Sequence, residues 1–68
     1  MNSQKWYIAE CRVILRDGTV YSREALAPVD SLSAARRYIR AEFAANFGAT
    51  RIKRIEFLSL ARESGGPR

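Results

Sequence analysis

Two short runs of cations carry the clearest chemical signal in this sequence. They are Arg36-Arg37 with Arg40 one turn further on, and Arg51 with Lys53 and Arg54. The guanidinium group presents a planar fork of donors that matches phosphate and carboxylate. Runs of this kind could therefore neutralise nucleic-acid phosphates or an acidic protein surface. A solvated face that only keeps the chain soluble uses the same residue types. No ribonucleoprotein aromatic signature, GXXG loop or helix-turn-helix pattern accompanies the basic runs. A second set lies in the first third of the chain: Trp6, Ile8, Arg12, Ile14, Tyr21 and Arg23. Trp, Tyr and Arg are the types enriched where binding energy concentrates.

Little else in the 68 residues supports chemistry. There is no histidine, so the commonest general base and transition-metal ligand are missing. The lone Cys11 can form neither an intrachain disulfide nor a cysteine-based zinc site. It reads as an inert thiol on the apolar side of a strand. No two carboxylates are spaced as an acid/base pair, and Gly65-Gly66 belongs to a patternless tail. The expectation is a non-enzymatic protein with no cofactor and no metal.

The charge is unevenly placed. The net value is +5. Residues 1–30 carry four cations and four carboxylates, and residues 31–68 carry eight against three, so the second half holds all of the excess. No apolar run approaches the roughly 18 residues of a membrane span. The polar start Met1-Asn2-Ser3-Gln4-Lys5 lacks the apolar core of a signal peptide. A cytoplasmic location, with no membrane partner, is expected.

The elements that must position these residues follow from periodicity. Tyr7, Ala9, Cys11, Val13 and Leu15 alternate through residues 6–16, as in a half-buried strand. Asp17-Gly18 supplies a tight turn, and Thr19 to Ala27 returns as a second strand. A two-residue loop sets Leu15 against Val20, Ile14 against Tyr21 and Arg12 against Arg23. That register aims Glu24 at the core and asks for a bulge near Arg23. Pro28 stops the strand. Asp30 or Ser31 then caps a helix over 32–47, ended by Gly48. Leu32, Ala35, Ile39, Phe43 and Phe47 form its apolar stripe. Thr50 to Leu60 reads as a third strand, with Ile55 and Phe57 toward the core and Ile52, Leu58 and Leu60 on the other side.

The fold expected is α+β: a two-layer β-β-α-β sandwich with a three-stranded antiparallel sheet, order 2-1-3, and one helix across one face. Residues 1–60 form the single domain and 61–68 a flexible tail. The core expected is Tyr7, Ala9, Cys11, Val13, Leu15, Val20, Leu26, Leu32, Ile39, Phe43, Phe47, Ile55 and Phe57. The open sheet face would carry the Trp6/Ile8/Arg12/Ile14/Tyr21/Arg23 set. The two basic runs would form one continuous edge.

The stretch Ser31-Leu32-Ser33-Ala34-Ala35-Arg36-Arg37, placed between a hairpin and "GATRIKRIEF", resembles a group of small phage-encoded anti-CRISPR proteins of type I-F. There a helix starting "SLS-x-A-[KR]-R" lies across a curved antiparallel sheet. The resemblance spans residues 6–58, and the further C-terminal hairpin of that group is missing. It implies an inhibitor in the cytoplasm of a bacterial host that sits on a CRISPR surveillance nucleoprotein complex and blocks target DNA. The residues alone leave two other readings open. One is a direct DNA- or RNA-binding module acting through Arg36/Arg37/Arg40 and Arg51/Lys53/Arg54. The other is a homodimeric structural or regulatory protein.

Overall fold

The computed structural model describes residues 6–63. Strand β1 (Trp6–Leu15) is followed by β2 (Val20–Ala27), helix α1 (Leu32–Phe47) and β3 (Ile52–Glu63). The sheet order is β2-β1-β3, and both pairings are antiparallel. The α+β architecture is therefore the one expected from the sequence. The third strand reaches Glu63, so residues 61–63 belong to the sheet rather than to the tail. Residues 64–68 of that expected tail lie outside the described residues.

The helix ends lie where the sequence places them. Ser31 caps α1 by accepting a hydrogen bond from the Ala34 amide at 3.2 Å. Gly48 adopts φ +95 and donates its amide to the Ala44 carbonyl at 2.9 Å. Only glycine takes such a φ without strain, so the chain can turn there and enter β3.

The hairpin register differs from the expectation by one residue. Gly18 donates to the Leu15 carbonyl at 3.0 Å, and Leu15 donates to Thr19 at 2.8 Å. The loop is thus Arg16-Asp17-Gly18, three residues long, with Gly18 at φ +93. A turn closed by a positive-φ glycine in a G1 bulge is a standard alternative to the two-residue loop. Asp17 fixes it by accepting from the Thr19 amide at 2.9 Å. That bond holds the Asp17 carboxyl below the usual carboxylate range.

A slip of one residue turns every side chain of a strand to the other face. Tyr21 now stands opposite Val13, Arg23 opposite Cys11 and Ala25 opposite Ala9, all toward the helix. Glu24, Val20 and Leu26 turn to the open face. The pairing of β1 with β2 runs without a bulge, so the one expected near Arg23 is absent. The irregularities lie instead between β1 and β3, at Glu10/Cys11 and at Ile14/Leu15. Leu58 and Lys53 are the extra residues there. Each bulge reverses the alternation, which brings Ile52, Ile55, Phe57 and Leu60 to the same helix-side face.

The core is consequently smaller than expected. Tyr7, Ala9, Cys11, Val13, Leu15, Ala27, Ala35, Ile39 and Phe43 are buried, with Tyr21, Val29, Phe47 and the β3 residues packed around them. Val20, Leu26 and Leu32 are about half exposed and leave the core. Leu32 shares the helical angle of Ile39 and Phe43 but is 47% exposed in the first turn, whereas Ala35, one turn on, is fully buried.

Candidate interaction surfaces

Two surfaces remain once the core is filled: the open face of the sheet, and the helix side with its flanks. The structure divides the predicted partner-binding set between them. Trp6, Ile8, Arg12 and Ile14 face away from the helix, as expected. Tyr21 and Arg23 do not join them, because the three-residue loop reversed the strand that carries them. They belong to the helix side.

The open face is built in rows across the strands. Leu26, Ile8 and Ala61 form one, Glu24, Glu10 and Ser59 the next. Then come Ser22, Arg12 and Glu56, followed by Val20, Ile14 and Arg54. Glu56 accepts from Arg54 at 3.0 Å and from Arg12 at 3.5 Å. Glu10 and Glu24 stand directly opposite each other, a like-charge pairing that an isolated sheet pair disfavours. Across these rows the face carries two cations and three carboxylates.

On the helix side, Arg23 is set over an aromatic row. Its guanidinium lies 5.0 Å from the Tyr21 ring centre and 5.9 Å from that of Phe47. Tyr21 and Phe47 are 5.1 Å apart, and Phe43 is 6.1 Å beyond. Arg23 also donates to the Ser22 carbonyl at 3.0 Å. Arg40 makes the equivalent contact on the other flank, 5.4 Å from the Phe57 ring centre. These cation–π contacts pin a cation on each side of α1.

The basic runs do not form one edge. The helix runs antiparallel to β2, so its C-terminus, not Arg36 and Arg37, adjoins the start of β3. A rise of 1.5 Å per residue puts Arg36 roughly 16 Å along the axis from Phe47. Arg54 is on the open face, held by Glu56. Arg51 is at the hairpin end, where its carbonyl accepts from the Arg16 amide at 2.9 Å. Arg16 Nε reaches the Thr50 carbonyl at 2.9 Å and ties the hairpin to the loop before β3. Lys53 sits in a bulge. Arg62, opposite Tyr7, lies instead on the helix side of β3, the flank that Arg40 covers. The sequence reading missed it, because it assigned residues 61–68 to the tail, and its face is set by the bulge at Leu58.

Over residues 6–62, the helix side, ends and bulges hold eight cations (Arg16, Arg23, Arg36, Arg37, Arg40, Arg51, Lys53, Arg62) against three carboxylates (Asp17, Asp30, Glu42). Among the described residues, Arg36, Arg37 and Arg40 form neither an ion pair nor a side-chain hydrogen bond. The first turn of the helix contains no acidic residue.

Cys11 is 1% exposed. Burial pushes its thiol up from the ordinary value, which disfavours the reactive thiolate. Its alkylation should therefore require opening of the sheet. Labelling in native buffer is expected to be at least about 100-fold slower than in denaturant, given an ordinary unfolding free energy for this size. Equal rates, read by intact mass, would place Cys11 at the surface. Among the described residues, no three of the His, Cys, Asp and Glu side chains gather as a metal site would require. No helix among them is long and apolar enough to cross a membrane.

Comparison with protein-family models, with curated proteins and with solved structures gave no match. The functional reading therefore stands on the two surfaces themselves.

Proposed function

We propose that this is a small non-enzymatic binding protein whose helix side meets an anionic partner surface, nucleic acid or nucleoprotein. The supporting observation is the partition of charge: an excess of cations on the helix side and ends, and a near-balanced open face. Arg36, Arg37 and Arg40 are exposed and free of carboxylates, so their donors are available to phosphate. Arg62 extends the same flank. The inhibitor of a CRISPR surveillance complex implied by the resemblance is one protein of this kind, and a guide-RNA-bearing complex is its specific target under this proposal. Capture of such a complex from a bacterial host lysate would support that narrower form.

A mobility-shift titration at two salt concentrations tests the general form. Three to four phosphate contacts should weaken duplex binding about 40- to 150-fold between 50 and 200 mM salt. Binding without salt dependence, or none at low salt to either DNA or RNA, would overturn it.

A further inference from the structure

The open sheet face has a pattern that complements itself. Along the central strand β1 it runs Ile8, Glu10, Arg12 and Ile14, that is apolar, acidic, basic and apolar, with Leu26 and Val20 of β2 beside the two apolar ends. We infer that a second copy of this chain docks there face to face, about a two-fold axis lying across the strands between the Glu10 and Arg12 rows. This rests on the row pattern and is independent of the anionic partner proposed for the helix side.

The geometry of the dimer follows from that axis. It sets the Glu10 row over the partner's Arg12 row, and the reverse. Ile8 then meets the partner's Ile14, and Leu26 meets the partner's Val20. The like-charged Glu10/Glu24 pair gains a cation across the interface. Arg12 can supply it, because its contact with Glu56 is long at 3.5 Å and Arg54 holds Glu56 more closely at 3.0 Å. Isologous contacts of this kind are the commonest way for a small protein to pair.

Two further observations favour docking by the face over docking by a strand edge. Thr19 receives the Leu15 amide through its carbonyl, so the odd residues of β2 bond to β1. The even ones, Ser22 among them, therefore point their carbonyls to the free edge. Arg23 already occupies that of Ser22. On the other edge, β3 is broken by two bulges with Lys53 at one of them. Both are devices that blunt an edge against strand addition. The face itself is three strands wide and, where all three strands pair, eight residues long. At the usual strand spacing and rise, two such faces bury on the order of 800 Å² in total, the size of a weak, reversible interface.

Sedimentation of the full chain from roughly 1 to 100 µM, without nucleic acid, tests this. A dimer is expected. Leu26→Lys changes a residue that is 52% exposed and should weaken association by about tenfold or more while leaving the circular dichroism spectrum unchanged. Glu10→Arg and Arg12→Glu should each weaken it similarly, and the two reversals together should restore it, because the cross-interface pairs are re-formed with opposite sign. Arg36→Glu/Arg37→Glu should leave it intact. A monomer throughout the range would overturn the inference, and so would a foreign protein found on this face of a monomer. A dimer indifferent to Leu26→Lys and to both charge reversals would also overturn it.

Discussion

Ile39→Ala should remove most of the stability of this protein, whereas Leu32→Ala should leave it almost unchanged. Both leucine-sized residues fall on the same helical stripe. Ile39 is 0% exposed and Leu32 is 47% exposed. Only Ala35, Ile39 and Phe43 of the helix are buried, so Ile39 is one of two large side chains that fasten α1 to the sheet. Truncating a buried Ile to Ala costs about 2–5 kcal/mol, through lost transfer energy and the cavity left behind. A chain of this length has roughly 3–10 kcal/mol in total. The melting temperature should fall by roughly 10–25 °C, or the cooperative transition should disappear. Leu32→Ala should cost less than about 0.5 kcal/mol, as for an ordinary surface change. Urea unfolding followed by circular dichroism measures both. Equal losses would mean that Leu32 is packed as tightly as Ile39.

That pair of residues also marks where the sequence stops being informative. Helical periodicity gives the angle of a side chain around the axis. It says nothing about which turns of the helix end up covered, so Leu32 and Ile39 look alike until the two layers are assembled. The strands pose the same problem with period two. The alternation from Tyr7 to Leu15 is unbroken, and the face of β1 can be read directly from it. Asp17-Gly18 announces a turn, but the pair suits a loop of two residues or of three. The choice flips Tyr21, Arg23 and Glu24 together. The decisive interaction is local and small: the Asp17 carboxylate accepting the Thr19 amide.

In β3 the imperfect alternation was visible. Ile52, Ile55, Phe57 and Leu60 cannot share a face of a regular strand, and two bulges let them do so. The spacing by itself does not say whether such a strand bulges or exposes half of its apolar residues. Burial decides, because four large apolar residues packed under the helix stabilise more than two irregular ladder positions lose. For the candidate surfaces, the residue types were legible and their grouping was not. The sequence placed Arg23 beside Trp6, whereas the fold places it over Tyr21 and Phe47. The single basic edge became separate groups, because the eleven helical residues after Arg36 carry the chain about 16 Å from it before β3 begins.

The double reversal Arg36→Glu/Arg37→Glu should move two measurements in opposite directions. Anion binding should fall by about 100-fold or more at low salt, and thermal stability should hold or rise slightly. The loss has two sources. Two phosphate contacts disappear, which alone flattens the salt dependence on duplex DNA by about 1.8 in the log–log slope. Two carboxylates also take their place, and the net charge falls from +5 by four, to +1. The stability side follows from the helix. Residues 36 and 37 lie in its second turn, past the first turn where the macrodipole acts most strongly, so the reversal gains little from it. A glutamate at 36 stands four residues before Arg40, the favourable orientation for an ion pair of about 0.2–0.5 kcal/mol. Arg40 is left in place because its contact with Phe57 contributes to packing, which a triple reversal would disturb. A variant that simply misfolded would lose both binding and stability. Unchanged binding with raised stability would mean that the helix side is only a solvated face, and that the excess charge of this chain serves solubility alone.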